Sequence, residues 1–407
     1  MTDIQKENKS GGKVPNRGKS NIPRLRFPWF ERGWETKKLG EVCEIKTGNK
    51  DTQNKVEDGK YPFFVRSNTV ERIDSYSFDG EAILTSGDGV GVGKNFHYIN
   101  GKFDFHQRVY ALRNFKEGYS SKYIYHLFSE KFYDRVRKLS AKNSVDSVRM
   151  DMISEMKVYF PLLIEQQKIS SFLSLIDERI QTQSKILLHY QSLIENITDQ
   201  LAEQRIKLNT KFPNWKRVTL AELGKTFNGL SGKTKEDFGD GKKYIQYKQI
   251  FDSSKITIEN CGHVRVSENE NQNGVQFGDI FFTISSETPD EIGMSSVLLE
   301  EVKNVYLNSF CFGFRLNSFN KLLPEFARFL FRSKIVRNEI KKLAQGSTRY
   351  NMSKAELLKL KIALPSIKEQ KKISLFLSAL DQKIQTEKAI LEQLEMQKKY
   401  LLKQMFA

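Results

Sequence analysis

Apolar residues fall at Ile169, Leu173, Ile176, Ile180, Leu187, Tyr190, Ile194, Ile197, Leu201 and Leu208. The steps alternate between four and three once Gln183 and Gln204 are counted as polar members of the same stripe. The pattern returns at Ile373, Leu377, Leu380, Ile384, Leu391, Leu394, Leu401 and Met405, with Glu387 and Lys398 as its polar members. Such a repeat predicts two long helices that each hide one apolar seam against a partner helix, as in a coiled coil. Gln183 and Glu387 put a polar group at the same seam position, which implies either a partly exposed seam or a contact that sets the register.

The two helices are copies. Residues 161–187, PLLIEQQKISSFLSLIDERIQTQSKIL, align without a gap with residues 365–391, PSIKEQKKISLFLSALDQKIQTEKAIL. Pro161 and Pro365 precede the helices, where a missing amide donor costs little, and Glu165 and Glu369 lie near the positive N-terminal end of the helix dipole. The duplication reaches further: Trp34 to Glu41 resembles Trp215 to Glu222, Phe27-Pro28 anticipates Phe212-Pro213, and Gly48 and Gly229 follow those tryptophans at equal distances. Tyr61 to Arg66 aligns with Tyr244 to Gln249, and Asp79 to Thr85 with Phe277 to Thr283.

Ahead of each long helix the rhythm is one of short β-branched and aromatic runs cut by Gly, Asn and Asp, which read as strands and hairpins. They are 61–65, 82–85, 279–284, 296–299 and 306–316. Helical stretches follow at 121–139 and 324–343, then a last strand-like run at 156–160 or 360–364. The expected fold is therefore α+β: two similar heads, each followed by a long coiled-coil helix, in an internal repeat. The expected boundaries are a disordered basic arm over 1–22, a first head over 23–160, a central helix over 161–208, a second head over 209–364 and a C-terminal helix over 365–407.

The formal charge of +17 directs attention to a polyanion or an anionic surface as partner. No run of eighteen apolar residues occurs that could span a membrane, and the first 22 residues have no apolar core of a secretory signal. Cys43, Cys261 and Cys311 are isolated, giving neither a zinc ribbon nor a disulfide framework, so a reducing cytoplasm is expected.

Catalytic signals fail on inspection. Gly87 to Lys94 is glycine-rich, but a phosphate-binding loop needs Gly where Asp88 stands and Ser or Thr where Asn95 stands. A hairpin that lets backbone approach DNA, or a plain flexible turn, is the expectation there. Gly232-Lys233-Thr234 lacks its upstream glycine, and no proline follows Asn, Asp or Pro as the base-holding loop of an adenine methyltransferase requires. Asp290, Glu301 and Lys303 come close to the spacing of a Mg²⁺-dependent nuclease, but Glu301 and Lys303 stand in a charged strand end rather than within an apolar strand. The five histidines form no metal spacing or triad.

Two divergent heads, each followed by a Pro-x-x-x-Glu-Gln-x-Lys-Ile helix, resemble the specificity subunit of type I restriction-modification enzymes over residues 23–407. The tract Gln345-Gly-Ser-Thr-Arg-Tyr-Asn-Met352 leading to Leu364-Pro365 and Glu369-Gln370 carries the resemblance most specifically. The first half departs from it, with Lys142-Asn143-Ser144-Val145 in place of the Gly-Ser-Thr turn. The resemblance implies a non-catalytic α+β chain with two similar target recognition domains separated by two long antiparallel coiled-coil helices, a pseudo-two-fold internal repeat, that reads a split, asymmetric site on double-stranded DNA. It implies two modification subunits carrying S-adenosylmethionine and methylating adenine, and restriction subunits that translocate and cleave with ATP and Mg²⁺. No cofactor is expected in this chain.

Base readout needs side chains on loops that face a groove. The candidates are Arg66, Ser67, Asn68, Lys94, Asn95, Gln107 and Arg108 in the first head, and Tyr247, Lys248, Gln249, Ser285, Arg349 and Tyr350 in the second. Arg349 leads because it follows the Gly-Ser-Thr turn. Two other readings stay open: a self-contained nuclease using Asp290, Glu301 and Lys303, and a coiled-coil scaffold whose heads bind protein.

Overall fold

The computed structural model describes residues 22–89, 91–140, 147–206, 214–346 and 349–406. The expected arm up to residue 21, the 142–145 stretch, Leu208, the Phe212-Pro213 pair, and Ser347 and Thr348 of the second-half turn lie outside them. The chain divides into two compact units, Met1–Gln183 with Ile390–Ala407, and Ser184–Ala389.

In the first unit six strands form one sheet, in the order Glu44–Thr47, Val109–Arg113, Phe78–Ser86, Phe96–Phe105, Tyr61–Phe64 and Val70–Ile73. Neighbours are antiparallel except Tyr61–Phe64, which runs parallel to Phe96–Phe105. The run Ala82-Ile83-Leu84 is apolar throughout because the sheet is covered on both faces. Ile83 and Leu112 point into one core with Phe128 and Phe132 of the helix Ser121–Leu139, while Ala82, Leu84 and Ala111 join Phe103 and Phe105 in another. Ser120 caps that helix by accepting the Tyr123 amide at 3.3 Å.

The second unit repeats the plan with a broken sheet. Gly224–Asn228, Cys311–Leu316, Ile280–Thr283 and Ser295–Val297 form four strands, and Gly262–Val264, Phe238–Ile245 and Val305–Leu307 form three. Again one pair is parallel, Phe238–Ile245 with Val305–Leu307. Two expected elements divide. Residues 306–316 split at an Asn308 turn, where the Asn308 side chain accepts the Phe310 amide at 2.8 Å. The 324–343 stretch becomes Pro324–Leu330 and Lys334–Lys341. At that break Ser333 Oγ closes on the Leu330 carbonyl at 2.7 Å, and Arg332 reaches away to other carbonyls.

The long helices cover Leu163–Ala202 and Ile367–Met405. In the first unit Ile169 and Leu173 share a core with Leu401, Leu402 and Met405, and in the second Ile194, Ile197 and Leu201 share one with Ile373, Leu377 and Leu380. The start of one helix thus meets the end of the other within each unit, which is the antiparallel arrangement. Gln183 and Glu387 are buried, with Lys383 at 2.5 Å from Glu387, so the partly exposed seam is set aside. The central helix stops short of the expected Leu208. Gln204 adopts a left-handed φ of 58°, and the Arg205 amide reaches back to the Gln200 carbonyl at 2.9 Å while that of Gln204 bonds Leu201 at 3.0 Å. This is a Schellman ending with Gln in the place that Gly usually takes, so no residue type announces it.

The repeated Glu-Gln pair clasps each helix to its own head. Gln166 donates to the carbonyls of Pro161 at 2.9 Å and Gly118 at 3.0 Å and accepts the Ser120 amide at 2.9 Å. Gln370 donates to Pro365 at 3.0 Å and Lys321 at 2.8 Å and accepts the Leu323 amide at 2.9 Å. The preceding glutamates differ in partner: Arg26 grips Glu165 through two bonds of 2.7 and 2.8 Å, whereas Trp215 donates to Glu369 at 3.3 Å. Among the described residues no helix is long and apolar enough to cross a membrane.

Candidate nucleic-acid interface

In the first head Arg66, Ser67 and Asn68 leave the end of the strand Tyr61–Phe64, and Lys94 and Asn95 end the loop joining Phe78–Ser86 to Phe96–Phe105. These five line a cavity of about 640 Å³. The glycine-rich run is the wall of this cavity. Gly89 and Gly93 sit at φ 81° and 65°, and a Cβ on Gly91 would lie 2.0 Å from the Asn95 amide nitrogen. Asn95 itself is buried and donates to the Arg66 carbonyl at 3.0 Å, which Ser86 Oγ also meets at 2.9 Å, so it positions the loop from below.

Asp88 stands between two arginines, 3.2 Å from Arg66 Nη1 and 3.7 Å from Arg108 Nη1. The Arg108 amide donates to Nδ1 of His106, whose pKa burial pulls below the usual histidine range, keeping that nitrogen an acceptor. Gln107 donates to Asp51 at 3.1 Å, and Lys94 lies 5.3 Å over the Tyr133 ring. Sequence reasoning missed Asp88 because its place in a glycine run was weighed only against phosphate-loop patterns.

In the second head Tyr247, Lys248 and Gln249 lie on the helix Tyr247–Asp252 rather than on the expected loop. The Gln249 side chain accepts the Gln246 amide at 3.3 Å and donates to the Thr257 carbonyl at 2.8 Å, closing the helix start on its neighbour. Lys248 is exposed. Tyr247 comes together with Ser285 and Arg349 around a cavity of about 720 Å³, which Phe251 and Phe310 also line. Its hydroxyl donates to the Ser285 carbonyl at 2.9 Å, and burial raises its pKa, so it stays protonated. Arg349 donates to Ser285 Oγ at 3.2 Å. Tyr350 pairs with Ser286 in a short ladder and packs against the core.

Arg332 holds this helix from behind. Its guanidinium donates to the carbonyls of Ile250, Phe251 and Ser253 at 2.7, 3.0 and 2.7 Å. Burial lowers its pKa to about 10, still leaving it charged at neutral pH to complement the helix C-terminus.

Backbone bonds set the true equivalence of the heads. The His106 amide donates to Phe64 and the Asn308 amide to Ile245, so Phe64 matches Ile245, and the expected alignment of Tyr61 with Tyr244 is two residues out. Gly87 donates to the Arg108 carbonyl and accepts from Val148; Ile284 donates to Phe310 and accepts from Met352. The Asp79–Thr85 alignment is therefore one residue out. In this register Arg66, Asp88 and Arg108 stand where the second head has Tyr247, Ser285 and Phe310.

Asp290 pairs with Lys341 at 2.7 Å, and its backbone carbonyl accepts from Arg337 at 3.0 Å. Glu301 and Lys303 lie exposed between strands, and among the described residues no group of three or more His, Cys, Asp or Glu side chains gathers as a metal site. Burial pushes the thiols of Cys43 and Cys311 up to about 12 and that of Cys261 to about 11, far from reactive thiolates.

A family model described as the type I restriction modification DNA specificity domain matches residues 31–189 and again 213–396. The chain is 27% identical over 149 residues to the type I restriction enzyme EcoDI specificity subunit of Escherichia coli, covering 37% of this chain and 32% of that one. A second curated relative, from Mycoplasma pneumoniae, is 23% identical over 234 residues, 56% of this chain and 62% of that one. Both matches thus span less than two thirds of the relative's own length. Among solved structures, the S subunit of the type I restriction-modification system from M. genitalium superposes with a TM-score of 0.60 at 18% identity, over 95% of this chain and 99% of that one. A chain from a structure addressing complex assembly and conformational transition of the type I R-M system gives 0.56 at 15% identity, over 92% and 97%. These two share the fold.

Proposed function

We propose, since this chain belongs to the type I restriction modification DNA specificity family, that each head is a target recognition domain reading its own half of a split, asymmetric site on double-stranded DNA. The chain binds and does not react. Two modification subunits bring S-adenosylmethionine and methylate adenine, and restriction subunits supply ATP-driven translocation and Mg²⁺-dependent cleavage, all in the cytoplasm.

The observation that carries the reading is a shared frame with exchanged side chains. Gln166 and Gln370 lock the two heads to their helices by the same three bonds, while Arg66, Asp88 and Arg108 give way to Tyr247, Ser285 and Phe310 on equivalent backbone. Conserved geometry with altered chemistry suits two readers of different bases. Phe172 and Phe376, at the same place in the repeated helix and each more than a third exposed, support docking of two copies of one partner. The 40-residue central helix, about 60 Å long at 1.5 Å per residue, supports its reading as the spacer that sets the gap between half-sites.

Methylome sequencing of cells making the chain with its modification subunits tests the proposal. One bipartite, non-palindromic adenine-methylated motif is the expected result, and its absence refutes the assignment. Lengthening the helix after Gln200 should widen the gap and keep the half-site bases. Cleavage of DNA by the purified chain, abolished by Asp290→Ala, would instead favour a self-contained nuclease.

A further inference from the structure

Asp88 makes two ion pairs with side chains that remain largely in water: Arg66 is 49% exposed and Arg108 is 64% exposed. Pairs this open contribute at most about 1 kcal/mol to folding, so stability gives no account of a carboxylate set between two guanidiniums. What the carboxylate does is narrow the rotamers open to both arginines. Their backbone is already held: Ser86 and Asn95 bond the Arg66 carbonyl, and His106 takes the Arg108 amide. An arginine restrained in this way offers two parallel N–H groups, the match to O6 and N7 of guanine.

The second head has no arginine at those three positions; the guanidinium beside them, that of Arg349, is turned to Ser285 Oγ at 3.2 Å. Tyr247 turns its hydroxyl inward to Ser285 and lies stacked on Phe251 with ring centroids 6.2 Å apart. Phe310, in the turn that replaces Arg108, keeps 59% of its surface in water. Its apolar face has one apolar counterpart among the base edges of the major groove, the thymine methyl.

We infer that these equivalent positions are the specificity-determining triads of the two heads. Arg66 and Arg108, positioned by Asp88, take a guanine-bearing base pair in the first half-site; Phe310, backed by Tyr247 and Ser285, takes a thymine methyl in the second. The inference rests on the proposed function and names the base chemistry that each head selects.

The test uses the full chain in complex with its modification subunits, on duplexes bearing the motif found by methylome sequencing. Replacing a guanine of the first half-site by 7-deazaguanine removes N7 and should weaken binding about tenfold, an effect that Arg66→Gln or Arg108→Gln abolishes. Asp88→Asn should lower discrimination between G·C and A·T at that pair by about tenfold while the second half-site is read as before. Uracil in place of a second-half thymine, at a pair other than the one methylated, should weaken binding about fourfold, and Phe310→Ala should erase the difference. The unaltered half-site, read by the same molecule, controls for folding. Analogue sensitivity that persists unchanged in the variants, or a first half-site with no N7-sensitive guanine, overturns the inference while a bipartite motif leaves the proposed function standing. If no motif is methylated at all, both fall together.

Discussion

The two heads differ most where their side chains face water and least where they meet the long helices. Trp34 meets Tyr123 edge-on at 6.3 Å, and Trp215 meets Phe326 edge-on at 6.1 Å. The glutamine clasps agree bond for bond, yet the strand that runs unbroken through Phe96–Phe105 is divided in the second head, and the three equivalent loop positions share no residue type. The difference teaches that an internal repeat can preserve the attachment of a domain while releasing its reading surface. A buried amide with three partners has no tolerated substitute, whereas an exposed side chain on a fixed backbone can change with little effect on folding.

The strongest way to break this comparison is to exchange residues 209–364 for the equivalent head of a relative. One half-site should change completely and the other remain, as read by methylome sequencing; if both change, the heads are not independent readers. Next are the matched glycines. A Cβ on Gly48 would lie 1.9 Å from the Phe105 carbonyl oxygen and one on Gly229 2.1 Å from that of Asn308. Gly48→Ala and Gly229→Ala should each destabilise their unit by about 3 kcal/mol or more in denaturant titration, and a neutral result at either site would end the equivalence there.

Removing either clasp should cost less, since it leaves buried backbone groups unpaired without forcing atoms into overlap. Gln166→Ala and Gln370→Ala are expected to lower stability by about 2–3 kcal/mol each, with similar loss in both heads; a large effect in only one would show that Arg26 on Glu165, or Trp215 on Glu369, carries the attachment instead.

The smallest effect sharpens the contrast through pH. Burial lowers the pKa of His126 to about 4, outweighing the nearby Asp177, whereas the matching place in the second head is Phe329. Below pH 6.5 the unfolded chain takes up a proton that folded His126 refuses, so stability falls as pH drops from 6.5 towards 4. The loss should reach about 2 kcal/mol by pH 5. His126→Phe should remove that slope in thermal melts of the first unit, and an unchanged slope would assign it to other groups.

The repeated helices, the helix at 121–139 and the alternation of strands were legible because a period of 3.5 or 2 is written in residue types alone. The helix end at Ala202 was not, since Gln204 enters the left-handed region without the glycine that would mark it. Residues 66–68 and 94–95, named from the sequence only as polar loop candidates, line one cavity, but Asn95 is buried beneath it and Gln249 is a helix cap, because polarity alone does not say which way a side chain points. The alignments of the strands were one and two residues out, since loops of different length hide the register that backbone hydrogen bonds define.

By itself, then, the sequence determined the duplication, the two long amphipathic helices and the α+β character of the heads, all of which depend on local spacing and burial. Only the tertiary structure decided that Arg66, Asp88 and Arg108 meet, and that Tyr247, Ser285 and Phe310 stand in their places. These residues are separated by tens of positions in the chain, and what brings them together is strand pairing across the sheet, a long-range register that no local pattern encodes.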